Sequence, residues 1–211
     1  IEAETIALGG GFLLADSRFQ LALLSDGLAL RGLDGQLGSG RAGGEVSLRL
    51  SPEGRLALSG DIDFSGLSSE LFGPSPDFEA MLTGALDFGG SGENPAEVVA
   101  DLSGGGTLLL EEIAIAGMAP GAITVGLGSA LQEDDPLGGR TLLGHVERAL
   151  DQEPFRRPVA QAPVTIVGGV LRLEPLRLGD PARGEESWSG AAAVDLAWLE
   201  LGIGMCHGAL L

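Results

Sequence analysis

A stretch from Phe78 to Gly117 combines strict alternation with repeated glycine, and this pattern limits what the chain can fold into. Between positions 78 and 88 every second residue is apolar or glycine. A period of two predicts a strand with one buried face. The glycine-rich residues 89–92 that follow predict a turn. Short strands joined by glycine-rich steps favour an all-β fold over disorder, although the chain contains 36 glycines.

A short helix and a second strand are predicted next. Asn94 is a suitable N-cap, and Pro95 suits the first helical position. The apolar residues of this helix lie within 98–102. The run Ser-Gly-Gly-Gly at 103–106 should end the helix, and we expect a strand from Thr107 onward.

The order of these features resembles the AsmA-like proteins of Gram-negative envelopes. In that family a Gly-Ser-Gly turn, a short helix led by proline, and Leu-Ser-Gly-x-Gly with a strand occur in this order, as they do between residues 90 and 108. The run GGVLRLEPLRL at 168–178 is similar to the next segment of the family, a hairpin that follows a helical insert. The resemblance covers residues 78–200. It implies a long curved antiparallel sheet of stacked hairpins, an open β-groove like that of the bridge-like lipid-transfer proteins.

We expect one continuous domain that belongs to a larger protein. Residues 1–77 should form repeated hairpins of the same sheet, and residues 78–211 should form the module that resembles the C-terminal AsmA region. An internal repeat supports stacking of similar units. Its copies at 27–33, 106–113 and 169–176 each predict a strand, a two-residue step and a returning strand.

The helical insert is expected at about 127–153. Its main helix is predicted near 137–151, capped by Asp134 or Asp135, because apolar residues recur there at helical spacing. A shorter helix is predicted from Leu127 to Gln132.

Several boundaries are predicted from local composition alone. Residues 12–15 and 19–24 read as separate strands, and residues 38–44 as a loose loop. A single helical turn is predicted within 68–72. The last strand is expected at 198–203, since the tail 204–208 fits a strand pattern poorly.

The charge balance excludes some partners. The net charge is −18 and the basic residues are all arginine, without a basic stripe that could bind nucleic acid. The same acidity argues against docking on anionic lipid headgroups through a polybasic patch. We interpret it as solvated outer faces that keep the protein soluble. The single cysteine, Cys206, excludes an internal disulfide and a multi-cysteine zinc site.

The residues that could carry catalysis do not form a recognisable set. His145 and His207 have no nucleophile or carboxylate beside them at a suggestive spacing. The acidic pairs Asp61/Asp63 and 134–135 lack the ligand ladder of a calcium loop. No serine lies in a G-x-S-x-G elbow, and the glycines at 104–106 lack the lysine of a phosphate-binding loop. The sequence therefore predicts no enzyme, no cofactor and no metal.

What remains is a set of apolar strand positions that would line one side of the sheet. They are Val46, Leu48, Leu50, Ile62, Phe64, Leu82, Leu86, Phe88, Leu108, Leu110, Val164, Ile166, Leu171 and Leu173. They can form an ordinary packed core, but the chain has few helices with which to cover so many strands.

The family resemblance implies that this face holds phospholipid acyl chains and carries them across the periplasm between the inner and outer membranes, in support of outer-membrane biogenesis. It also implies a periplasmic protein tethered to the inner membrane through an anchor outside these residues. The alternative is a structural or interaction module that assists outer-membrane protein assembly without lipid cargo.

Overall fold

The computed structural model describes residues 1–9, 12–72, 77–119, 121–133, 139–178, 187–196 and 200–208. In these residues eleven strands form a single sheet, and their order across the sheet is their order along the chain. Every neighbouring pair is antiparallel, and the first and last strands do not pair with each other. The predicted mainly β fold with an open antiparallel sheet is therefore confirmed.

The strands are between 8 and 15 residues long. Their bounds are β1 (Glu2–Gly9), β2 (Phe12–Leu24), β3 (Gly27–Leu37), β4 (Gly40–Leu50), β5 (Leu56–Ser68), β6 (Phe78–Gly92), β7 (Ser103–Ile115), β8 (Phe155–Val167), β9 (Val170–Leu178), β10 (Ser187–Asp195) and β11 (Glu200–Gly208).

The helical elements are α1 (Pro95–Ala100), α2 (Ala122–Ala130), α3 (Gly139–Leu150) and one 3₁₀ turn, Ser69–Phe72. α1 connects β6 to β7 and packs on β6 and β5, whereas α2 and α3 connect β7 to β8 and pack on each other. The 3₁₀ turn confirms the predicted helical turn before β6. α3 confirms the predicted main helix, while its predicted caps, Asp134 and Asp135, lie outside the described residues.

The N-terminus of α1 is built as its sequence predicts. The Asn94 side-chain oxygen accepts a hydrogen bond from the backbone N–H of Glu97 at 3.0 Å. The Glu97 carboxylate in turn accepts from the backbone N–H of Glu93 at 2.9 Å. These reciprocal bonds satisfy N–H groups that a helix start otherwise leaves free.

Register places apolar residues on one face of the sheet in continuous rows, because directly paired residues of neighbouring strands share a face. One row runs Leu21, Leu30, Val46, Gly60, Phe88, Gly104, Ile166, Leu171, Val194. The next runs Leu33, Gly44, Ile62, Leu86, Gly106, Val164, Leu173, Ala192. A third runs Gly35, Ala42, Phe64, Gly84, Leu108, Ala162. We call this side the apolar face.

The core lies on the apolar face towards the strand ends that carry the 3₁₀ turn and the helical insert. One buried cluster is centred on Leu14, Leu37 and Leu67, and a second on Leu110 and Ile113. Leu82 packs against both clusters, so the two form one layer across the middle strands.

Bulges keep this layer on one face. In β3, β5 and β7 two apolar residues stand three positions apart, which in a regular strand would place them on opposite faces. Each strand carries one extra residue between them, and Gly32, Gly66 and Glu112 adopt positive φ angles of 55°, 64° and 54° there. A bulge shifts the alternation of side chains between the two faces by one residue and also bends the strand. Leu33, Leu67 and Ile113 therefore lie on the apolar face.

Several sequence predictions are wrong for this reason. The internal repeat was expected to form returning strands at each two-residue step, but the steps in β3 and β7 are bulges inside one strand, and β9 shows the same register shift against β10. Residues 12–24 likewise form one strand with an irregularity at Asp16, whose φ is 47°.

The glycine-rich segments were also misassigned. Residues 89–92 extend β6, residues 103–106 begin β7, and residues 40–44 belong to β4 rather than to a loop. In these strands glycine lies opposite a large residue of the neighbouring strand, as Gly104 opposite Phe88 and Gly106 opposite Leu86. The tail 204–208 is part of β11, and the shorter helix begins at Ala122 instead of Leu127.

Candidate functional site

The strand pairing places all the predicted face residues on the apolar face, each in one of the rows above or an even number of residues from a row member along its strand. The sequence pattern therefore grouped them correctly as one surface. Their exposure, however, divides that surface into two parts that differ in what they can do.

One part is open to solvent. On β2 to β5, near the turns at 24–27 and 51–55, six aliphatic side chains are 38 to 86% exposed. We call this surface the leucine patch; it consists of Leu21, Leu23, Leu28, Leu48, Leu50 and Ile62. Cross-strand pairing joins its members, since Leu23 lies opposite Leu28 and Leu28 opposite Leu48.

Half of the leucine patch was missed by sequence reasoning. Leu21, Leu23 and Leu28 were seen only as strand residues, although Leu21 and Leu23 follow the same period of two as the predicted positions. The signal was available, but it requires the register between β2 and β3 to show that these residues share a face with Leu48.

The other part is packed. Leu110, Val164 and Ile166 are only 4 to 5% exposed. Leu110 belongs to the cluster around Ile113, so it serves as core in this conformation. These predicted positions therefore offer no free surface to a ligand, in contrast to Leu48 and Leu50.

Two phenylalanine–glycine pairs lie on the apolar face of β5 and β6. A Cβ placed on Gly84 would lie 2.7 Å from Cζ of Phe64, and one on Gly60 would lie 2.9 Å from Cζ of Phe88. Each ring therefore lies over the glycine opposite it on the next strand. This arrangement shields the strand backbone with an apolar surface, as in aromatic rescue of glycine in sheets.

Charge lies on the opposite face. Glu45, Asp61 and Asp87 stand directly opposite one another on β4, β5 and β6, and Asp63 is exposed on the same side. The rows of the apolar face contain no charged residue. The sheet therefore presents an acidic side to water and an apolar side that is covered only in part.

The covering elements leave the leucine patch free. Among the described residues, α1 and the 3₁₀ turn are the helical elements that pack on strands, and they lie on β5 and β6. α2 and α3 use their facing sides for each other. In the same parts of the chain, no helix has the length and apolar character needed to cross a membrane.

His145 has neighbours that its sequence context did not predict. Its Nε2 lies 3.5 Å from a carboxylate oxygen of Glu133, and its Nδ1 lies 3.0 Å from a guanidinium nitrogen of Arg148. The expectation that no carboxylate lies beside His145 is therefore wrong, because the turn after α2 brings Glu133 back to α3. Neither neighbour is a nucleophile; the Glu133 contact joins the turn after α2 to α3, and the Arg148 contact lies within α3.

The remaining predicted candidates give no site in the described parts of the chain. No group of three histidine, cysteine, aspartate or glutamate side chains there is arranged to hold a metal ion. The side chains of Cys206 and His207 lie outside the described residues. Asp61 and Asp63 share a strand face, as predicted, and both are exposed.

Comparison with known proteins adds no relative: no protein-family model, no curated protein and no solved structure matches this chain.

Proposed function

We propose that this chain is a non-catalytic lipid-conducting segment of an AsmA-like envelope protein, and that phospholipid acyl chains lie on its apolar face. The observation that carries the proposal is the leucine patch: a charge-free aliphatic surface on β2 to β5 that no described helix covers. The fold class expected from the family resemblance supports it as well.

The energetics of the patch are adequate for lipid. Each methylene moved from water onto an apolar surface gains ~0.8 kcal/mol. Neighbouring strands are ~4.8 Å apart, so the three intervals from β2 to β5 span roughly 14 Å. A chain segment of several methylenes laid across these strands would therefore be held with measurable affinity.

The apolar rows suggest a direction of movement. They run across the strands from β2 to β10 and meet no charged side chain. Lipid moving across the strands would thus stay on apolar side chains and glycine, and its passage beyond the leucine patch requires the packed part to open. In the cell we place this segment in the periplasm, tethered to the inner membrane through an anchor outside these residues.

The alternative is a structural module for outer-membrane assembly. It draws support from the packed part of the face, where Leu110, Val164 and Ile166 are buried as in an ordinary core. The two proposals differ in one property, because the structural module needs no lipid on the leucine patch.

Native mass spectrometry distinguishes them. We expect protein purified without detergent from a Gram-negative host to carry adducts with phospholipid masses. The same preparation of a Leu23→Asp, Leu48→Asp variant should lack them. Adduct-free parent protein that also fails to take up added phospholipid would favour the structural module.

A further inference from the structure

The pair α2–α3 carries a second apolar surface, separate from the sheet. From Ile113 to Gln132 the chain has no charged residue, although its net charge is −18. In α2 the small residues Ala122, Gly126 and Ala130 are buried. A Cβ on Gly126 would lie 2.7 Å from Cγ2 of Val146, so α2 and α3 are in close contact along these small residues. The large side chains of α2 are left outside.

These large side chains form a stripe. Ile123, Leu127 and Leu131 recur every four residues and therefore lie along one side of α2 and its C-terminal end. They are 39 to 60% exposed, and Val125 of α2 and Leu143 of α3 are about as exposed. We call the first three residues the hairpin stripe. Concentrated exposed aliphatic side chains of this kind usually mark an interaction surface.

The sheet does not cover the hairpin stripe. Met118 anchors the start of the insert in the core cluster around Leu110. The backbone N–H of Ala119 donates to the carbonyl of Leu150 at 3.4 Å and closes the base of the helix pair. Beyond this base, neither helix makes an extended contact with a described strand. The pair thus extends from the end of β7 and β8 with its stripe free.

We propose that the hairpin stripe inserts into the surface of a lipid bilayer with zwitterionic headgroups. A second copy of the chain is a poorer fit, because a specific protein interface needs roughly 800 Å² from each partner. Five half-exposed aliphatic side chains supply only roughly 150–300 Å², given roughly 60–120 Å² for a fully buried one. A bilayer imposes no such minimum, since side chains enter it individually.

Charge selects the kind of bilayer. Anionic lipid surfaces attract basic segments and repel acidic ones. This chain has 30 acidic and 12 basic residues, and its stripe has none of either. Insertion is therefore driven by the aliphatic side chains, and it is independent of whether the leucine patch carries lipid.

Vesicle flotation tests the proposal. We expect the parent protein to float with phosphatidylcholine vesicles, with little dependence on salt. A variant with Ile123→Gln, Leu127→Gln and Leu131→Gln, which keeps good helix formers, should lose roughly tenfold or more in partition coefficient. The matched control is Leu13→Gln, Val159→Gln and Val167→Gln, three other side chains that are 47 to 58% exposed. This control should float like the parent.

Other results would overturn the proposal. They are a parent that stays with the free-protein fraction, or a stripe variant with unchanged helicity that floats as well as the parent. A parent dimer seen by light scattering and abolished in the stripe variant would assign the stripe to a second copy instead. Phospholipid adducts in native mass spectrometry report the leucine patch separately, so failure of either proposal is recognised on its own.

Discussion

At the scale of single residues, the acidic row on the face opposite the apolar face lowers the stability of the sheet. Glu45 and Asp87 lie directly opposite Asp61 on either side. Like charges at such positions destabilise a sheet, and no basic side chain forms an ion pair with these three in the described residues. The row therefore favours solubility at some expense of stability.

We predict that Asp61→Asn stabilises the protein by about 0.2–1 kcal/mol at low salt, because it removes the middle charge of the row. The gain should shrink as salt screens the remaining charges. Urea unfolding at two salt concentrations measures it. Asp63→Asn is the matched control, since Asp63 lies opposite Gly43 and Ala85 and should change stability less. Equal gains for both variants would contradict this account of the row.

Gly84 occupies a position where a larger side chain would not fit. Its added Cβ would lie 2.7 Å from Phe64 Cζ and 2.9 Å from the carbonyl oxygen of Thr107, so neither neighbour leaves room. We predict that Gly84→Ala costs about 1–3 kcal/mol of unfolding free energy, as overpacking does elsewhere. In α3, Gly144 has nothing within 4 Å of an added Cβ. There Gly144→Ala should instead stabilise by about 0.5–1 kcal/mol, and thermal unfolding of both variants compares them.

At the scale of elements, the sequence predicted what depends on local chemistry. The Asn94–Pro95 start of α1, the main helix near α3 and the period-two strands all follow from neighbouring residues. The bulges could not be predicted, because the spacing of three between Leu30 and Leu33 fits a bulged strand and a strand that turns back equally well. Only the partner strand decides, since Gly44 continues the pairing opposite Leu33.

Glycine runs were misread for a related reason. Single-chain patterns treat glycine as a turn signal, yet in β7 glycine stands where the backbone of β6 comes close, since a Cβ on Gly104 would lie 2.0 Å from the carbonyl oxygen of Asp87. The leucine patch could not be predicted in full from the sequence for the same reason. Leu23 and Leu28 become part of one patch only through cross-strand pairing, which the sequence does not state.

The bulges give a prediction of their own. Glu112 holds a left-handed φ of 54° that costs a residue with a Cβ roughly 1–2 kcal/mol. Glu112→Gly should therefore leave stability unchanged or raise it by up to about 1 kcal/mol, after the added flexibility of the unfolded chain is subtracted. Gly66→Ala should lower stability by about 1–2 kcal/mol for conformational reasons alone, since its Cβ would meet nothing closer than 4.0 Å. Urea unfolding should show a loss for Gly66→Ala and no loss for Glu112→Gly, and a loss for Glu112→Gly comparable to that of Gly66→Ala would show that φ is not the cause.

At the scale of the whole molecule, one sheet carries two kinds of apolar surface. Eleven strands at ~4.8 Å spacing make a sheet roughly 48 Å wide. The core clusters stabilise one side of the apolar face, and the leucine patch extends the same face into solvent. A chain that needed only stability would cover or charge such a patch.

The packed part should respond to charge as a core does. Leu110 is 4% exposed and contacts the cluster around Ile113. We predict that Leu110→Asp destabilises the protein by several kcal/mol or prevents folding, because a carboxylate would be buried without a partner. Circular dichroism and urea unfolding report this, and a folded Leu110→Asp protein with near-parent stability would mean that this part of the face is open as well.

The most direct test of lipid binding by the leucine patch is the affinity for a fluorescent short-chain phosphatidylcholine used below its micelle concentration. We predict that the parent binds it, and that Leu48→Asp and Leu23→Asp each weaken binding by roughly tenfold or more while urea midpoints stay near that of the parent. Ala57→Asp is the matched control. Ala57 lies between Leu56 and Leu58 in sequence, but its side chain is on the face opposite the patch, where it is paired with Arg49. The Ala57→Asp protein should therefore bind the lipid like the parent. No binding by the parent, or equal affinity in all four proteins, would contradict the account.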